Sequence, residues 1–206
     1  PLADGPVIAA AATETSARGF GLAEAIGLAA EFRVAAGGDG PPVALMTYLN
    51  PLVRMGLGRA ATAIREAGVA GVIVPDMPPE ASGPWRSVAE GIDTVFLVAP
   101  TSTATRLAAV GAASEGFVYC VTTTGVTGER SELPEGIGEH VARMREHTSL
   151  PVAAGFGISS PSQAAAVARV ADGVVVGTAI VRRQAEPQAL EEFVASLAEA
   201  VRTARG

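Results

Sequence analysis

Leu150 to Val181 reads LPVAAGFGISSPSQAAAVARVADGVVVGTAIV. Two short apolar runs, Pro151–Ala154 and Val174–Val176, each end in glycine. Gly155-Phe156-Gly157 follows the first and Gly177-Thr178 the second. Between them Ser160 stands at a helix N-cap position with Pro161 just inside, opening an alanine-rich helical segment over Pro161–Val170. The pattern is strand–helix–strand with glycine at both strand ends. Glycine there lets the backbone approach a ligand closely and leaves N–H groups free to point at an anion. A phosphate held by the last two strand-to-helix loops of a (β/α)8 barrel has this layout. Plain turn glycines are the competing reading, and two such strand ends in succession weigh against it.

Working outward, the same theme recurs. Val7–Ala17 and Leu22–Ala35 read as helices broken at Arg18-Gly19-Phe20-Gly21. Strand Val43–Tyr48 is followed by Asn50-Pro51 and a helix ending near Ala67-Gly68, and strand Val72–Val74 runs into Pro75-Asp76-Met77-Pro78-Pro79. A helix around Trp85–Glu90 precedes strand Thr94–Val98, and helix Thr103–Gly111 precedes strand Phe117–Val121. A long polar loop, Thr122–Leu133, comes before helix Glu135–His147, and Pro187–Arg205 reads as a closing helix. Strand starts at 43, 72, 94, 117, 151 and 174 have the spacing of βα units. Their continuous apolar runs suit a buried parallel sheet. The expected class is α/β, a (β/α)8 TIM-type barrel in one domain over residues 1–206, with its first two strands and the helix between them not represented. The widest strand-to-strand gap holds the 122–133 loop, which is where a lid would be placed.

Composition narrows the chemistry. The 206 residues are nearly half apolar and 17% charged, which excludes a disordered chain, and the net charge of −6 argues against nucleic acid and anionic membrane as partners. No apolar run has the length of a membrane span. The single cysteine, Cys120, has no partner for an internal disulfide, which fits a reducing, cytoplasmic location. All 15 basic residues are arginine. Without lysine there is no Schiff-base aldolase, no pyridoxal-phosphate enzyme and no Walker-type phosphate loop. His140 and His147 lack the neighbours of a metal site and read as surface helix residues. No metal or cofactor is expected.

Taken together, PLADGPVI, PVALMTYLNPL, GVIVPDMPPE, FLVAPT, GFVYCVTTTGVTGERSELP, PVAAGFGISSPSQ and DGVVVGTAIV resemble, in order, the strand-end motifs of the tryptophan synthase α subunit. The TGVTG and GFGIS motifs are specific to that family, and the match spans nearly the whole chain. The resemblance implies a (β/α)8 lyase that splits indole-3-glycerol phosphate into indole and glyceraldehyde 3-phosphate. It also implies a β subunit that receives the indole in an α2β2 complex. By the same resemblance Asp4 is the aspartate at the indole N–H, and Gly128, Gly157, Gly177 and Thr178 supply phosphate-binding amides. Thr127 is the lid threonine that meets the aspartate on closure. Tyr119 lies beside the glycerol hydroxyls, Tyr48 and Phe156 line the indole pocket, and Asn50 and Pro78 face the β subunit.

The family's catalytic glutamate lies on the strand preceding PLADGP, and the sequence begins inside that motif. The expectation is therefore that residues 1–206 by themselves express poorly and do not turn over. Two other readings compete with the lyase. One is a non-catalytic barrel that binds a phosphorylated ligand and regulates a partner enzyme. The other is a phosphate-binding isomerase, which would share the glycine motifs but not TGVTGERSELP. A stand-alone lyase that releases free indole is a nearer variant. For single residues the bland readings are these: Asp4 as a turn former before Gly5-Pro6, Asp76 as a buried structural carboxylate, Tyr119 as a core residue, and Glu14, Glu24 and Glu31 as a solvated helix face. Arg182-Arg183 reads as solvent-facing rather than as a phosphate ligand.

Overall fold

The computed structural model describes residues 5–37, 40–121, 136–155 and 157–206. Helices α1 (Pro6–Ala17) and α2 (Leu22–Ala36) precede strand β1 (Ala44–Met46). Helices α3 (Leu49–Met55) and α4 (Leu57–Glu66) lead to β2 (Gly71–Ile73). After a 3-10 turn at Pro79–Ala81 come α5 (Gly83–Arg86), β3 (Asp93–Val95) and β4 (Leu97–Val98). The rest is α6 (Ala104–Ala113), β5 (Val118–Val121), α7 (Ile137–Arg145), β6 (Val152–Gly155), α8 (Pro161–Ala168), β7 (Gly173–Val175), α9 (Thr178–Val181) and α10 (Pro187–Arg205). The strands form two sheets, ordered β1-β2-β3 and β4-β5-β6-β7, and the pairings β1–β2, β2–β3, β5–β6 and β6–β7 are parallel. The chain divides into two compact units, one holding Thr15–Leu97 and Ala112–Gly116, the other Pro1–Glu14, Val98–Gly111 and Phe117–Gly206.

Most elements fall where the periodicity places them; the helix expected around Trp85–Glu90 is the shorter α5, which starts at Gly83 and ends at Arg86, and three further differences stand out. The single helix expected after Asn50-Pro51, ending near Ala67-Gly68, is two helices, because Gly56 takes φ +89°, a left-handed conformation that breaks the ladder. The strand expected at Thr94–Val98 is interrupted at Phe96, giving β3 and β4. The third difference is α9, a single turn for which no helix was expected.

In the first unit the core forms on β2, whose three residues are all buried. Leu52 from α3, Ile64 from α4 and Trp85 from α5 join Val72 and Val95 as fully buried side chains. The Trp85 indole Nε1–H donates to the buried Thr94 hydroxyl at 3.1 Å, which removes the cost of burying that donor. The edge strand differs: Ala44 and Met46 of β1 are exposed, Met46 by 48%.

In the second unit β6 is buried along its whole length, and α10 packs on α8. At the N-terminal end of this sheet the Asp172 carboxylate accepts from Val152 N–H and from Arg145, both at 2.9 Å. The Val152 amide, then Arg145, hold its pKa below the ordinary aspartate value. His140 is a correction to the sequence reading. It is 4% exposed, its Nε2 lies 3.4 Å from Val98 O, and its Nδ1 has no partner among the described residues. His140, Val141 and Met144 form the buried face of α7, so the imidazole is part of the core. Burial depresses its pKa, the Val98 carbonyl opposes that shift, and the nearby Arg143 charge adds to it. His147 lies beyond the end of α7 and is half-buried.

Candidate active site

Parallel pairing decides where the glycine-ended loops emerge. Tyr119 pairs with Ala153, and Gly155 pairs with Val175, so β5, β6 and β7 end side by side. The turns after β6 and β7 therefore leave the sheet at the same edge, the carboxyl end, where α/β proteins place ligands. Gly157 takes φ +80°, which alone accounts for glycine there. Gly177 is different. Its φ is −115°, and an added Cβ would sit 3.7 Å from Ile8 Cδ1, an ordinary contact. Neither backbone conformation nor packing calls for glycine at 177.

The two helix starts at this edge are not alike. At α8 the Ser160 hydroxyl accepts from Gln163 N–H at 3.3 Å, while Gln163 Oε1 accepts from Ser159 N–H at 2.8 Å. That end is closed on itself, as the N-cap reading of Ser160 anticipated. At α9 no side chain caps the helix, and Gly177 O already accepts from Ile180 and Val181 N–H. Thr178 and Ala179 are buried. The guanidinium of Arg183 donates to Ala179 O at 2.7 Å and lies 3.9 Å over the Phe193 ring. It braces the carboxyl end of α9 against α10 and is not directed at the opposite, amide end. Arg183 is thus half-buried rather than solvent-facing, and only Arg182 is exposed.

Tyr119 is 4% exposed, and burial raises its pKa above that of an ordinary phenol, so it stays neutral as a hydrogen-bonding group. A Cβ on Gly155 would meet Val175 Cβ at 2.6 Å, Val175 O at 2.7 Å and the Tyr119 hydroxyl at 2.9 Å. Gly155 therefore lets the tyrosine lie across the end of β6, a role the sequence pattern did not assign to it. Cys120, beside it, is buried with its thiol pKa pushed up to about 12, which leaves it an inert core residue.

Three further candidates lie in the other unit. Tyr48 is half-buried at the N-cap of α3, Asn50 is exposed in its first turn, and Pro78 is exposed just before the 3-10 turn. Asn50, with Phe20, Arg54 and Arg59, lines an open cleft of about 560 Å³. Asp76 is exposed, not buried as expected, and its Oδ1 accepts from Leu49 N–H at 2.8 Å. Sequence spacing offered no sign of that bond, since the partners are 27 residues apart.

Asp4, Thr127, Gly128 and Phe156, together with the 122–133 loop, lie outside the described residues. Directly after Asp4, Gly5 is buried and its carbonyl accepts from Ala9 N–H at 2.9 Å. The α1 helix thus starts immediately beyond Asp4 and brings Ile8 to Gly177. Among the described residues no three His, Cys, Asp or Glu side chains cluster as metal ligands, and no helix is long and apolar enough to cross a membrane.

Comparison with known proteins accounts for the whole chain. The family model for the tryptophan synthase alpha chain matches residues 1–205. The alpha chain of Geobacillus kaustophilus is 43% identical, covering all of this chain and 78% of that protein. That of Geobacillus stearothermophilus is 44% identical, over 89% of this chain and 68% of that protein. A structure of Mycobacterium tuberculosis tryptophan synthase superposes with a TM-score of 0.90 at 38% identity, covering 98% of this chain and 77% of that one. The parallel α/β arrangement is that of a (β/α)8 barrel. The chain belongs to the tryptophan synthase alpha chain family.

Proposed function

We propose that the carboxyl edge of β6 and β7 holds the phosphate of indole-3-glycerol phosphate, in a chain whose family is the carbon–carbon lyase of tryptophan biosynthesis. The observation that carries this reading is Gly177. It is a glycine without a conformational or steric reason, placed before an uncapped helix turn and next to the Gly157 turn. Backbone N–H groups of Gly157, Gly177 and Thr178, with Gly128 from the long loop, would surround the anion. The four-residue α9 adds little dipole by itself. The contribution is that of converging amides, held in place on the buried Thr178 and Ala179. Binding energy at the phosphate fixes the distant reacting bond.

Cleavage requires a proton at indole C3, which gives an indolenine cation, and removal of the proton from the adjacent hydroxyl. The electrons of the C3–C1′ bond then return to the ring, and the hydroxyl carbon becomes the aldehyde of glyceraldehyde 3-phosphate. Asp4 is the anion placed at the ring N–H, where it stabilises the developing positive charge. Tyr119, neutral and with its hydroxyl at the end of β6, hydrogen-bonds the glycerol hydroxyls, and Tyr48 and Phe156 line the indole pocket. Thr127 on the loop joins Asp4 on closure. The general acid–base step, worth about 10²–10⁴-fold, belongs to the family's glutamate upstream of the Pro1–Pro6 motif. Asn50 and Pro78 face the β subunit, in an α2β2 assembly, and the reaction is placed in the cytoplasm. The reading of residues 1–206 as one barrel domain belongs to the same proposal. The test is indole release by the protein with that upstream glutamate in place, compared with its Asp4→Asn variant. Turnover should fall by at least about 10²-fold while affinity for glycerol 3-phosphate stays within about twofold, the pattern of a group needed in the transition state. Parent-like turnover in Asp4→Asn would remove Asp4 from the site.

A further inference from the structure

Helix α3 cannot satisfy its own first turn. The Tyr48 side chain does not cap the helix, and the first turn contains no acidic residue. The leading N–H groups of a helix have no partner within it. For Leu49 the missing acceptor is supplied by Asp76 Oδ1 at 2.8 Å, and a carboxylate at this end is also favoured by the helix dipole. Asp76 is itself held by the turn it sits in: Met77 N–H donates to Val74 O at 3.2 Å, and Met77 is 3% exposed. One hydrogen bond therefore ties the segment carrying Tyr48 and Asn50 to the segment carrying Pro78, two loops that follow neighbouring parallel strands. It also fixes the helix that lines the cleft beside Asn50.

We propose that Asp76 is a positioning residue for the β subunit: as acceptor for Leu49 N–H it holds Asn50 and Pro78 as a single preformed surface. The inference rests on the reading that these two residues face the partner. The carboxylate is occupied within its own chain, so it acts by removing loop freedom that association would otherwise have to freeze out. The experiment is calorimetric titration of the chain with the β subunit of the same source, for the parent, D76A, D76N, N50A and I64V. Loss of a charge-assisted acceptor should weaken binding roughly tenfold in D76A. D76N, which keeps an oxygen in the same place, should recover most of that loss. Ile64→Val removes one buried methyl group in α4 and serves as a stability control; it should bind as the parent does. D76A with parent affinity overturns the positioning role. If N50A is then weakened, the partner-facing reading stands without Asp76, and if N50A also binds normally both are lost. D76N as weak as D76A would mean that the charge meets the partner directly, and I64V as weak as D76A that general stability is being read. Either result overturns the proposal.

Discussion

Replacing Gly155 by alanine probes the packing that sets the end of β6. The new Cβ would lie 2.6 Å from Val175 Cβ, 2.7 Å from Val175 O and 2.9 Å from the Tyr119 hydroxyl. Carbon pairs are at rest near 3.5–4.0 Å, so the first contact alone asks for a shift of about 1 Å. Two of the three atoms belong to β7, one in its backbone and one on a β-branched side chain, and neither can turn aside. Overpacking of this kind costs about 1–3 kcal/mol. Reduced freedom of the unfolded chain returns about 0.4–1 kcal/mol in favour of alanine. The net expectation is a loss of about 1.3 kcal/mol, or about 3–5 °C in Tm for a chain of this length. Urea and thermal unfolding followed by circular dichroism measure it. Adding Tyr119→Phe relieves only the 2.9 Å contact, so the double variant should regain less than half of the loss. A Gly155→Ala protein within about 0.5 kcal/mol of the parent would refute the packing argument, and complete rescue by Tyr119→Phe would show that β7 yields freely.

His140 should make stability pH-dependent on the acid side. Its folded pKa is lowered, so above the unfolded value near 6.5 both states are neutral and nothing changes. As pH falls below that value the unfolded chain takes up a proton that the folded chain resists, and stability drops by up to about 1.4 kcal/mol per pH unit. The parent-minus-His140→Gln difference in unfolding free energy should slope between pH 6.5 and 5 and be flat above 7; a flat difference throughout would contradict the buried, neutral imidazole. Thr94→Val removes the acceptor of Trp85 Nε1–H and should cost about 1–3 kcal/mol in urea unfolding. Trp85 is the only tryptophan, so its emission reports the site directly. An unchanged midpoint would mean that the indole finds another acceptor.

Strand spacing and apolar runs were enough to place the βα units, because buried parallel strands carry an uninterrupted signature. Ser160-Pro161 and Pro187 marked their helix starts for the local reasons that make caps legible. What escaped was non-periodic or non-local. A one-turn helix such as α9 is too short to show a period of 3.6. Gly56 is one of several glycines, and nothing in its neighbours distinguishes a positive φ from an ordinary one. The Asp76–Leu49 bond joins residues 27 apart, and the contact of Gly155 with Val175 depends on strand register. His140 was misplaced by residue type alone, although Val141 and Met144 define the buried face that it shares. Gly157 and Gly177 look equal in the sequence, whereas the structure separates a conformational glycine from one that neither backbone conformation nor packing requires.

On the proposed reading, the phosphate of indole-3-glycerol phosphate sits on the backbone amides at the ends of β6 and β7. Amide nitrogen–proton spectra of the labelled chain test it, recorded with indole-3-glycerol phosphate and, separately, with its dephosphorylated counterpart, indole-3-glycerol. The amides of Gly157, Gly177 and Thr178 should shift together, saturably, with the phosphorylated compound only. The closed start of α8, Ser159 and Gln163, should move less. If those three amides stay in place, or respond equally to both compounds, the phosphate is not held there.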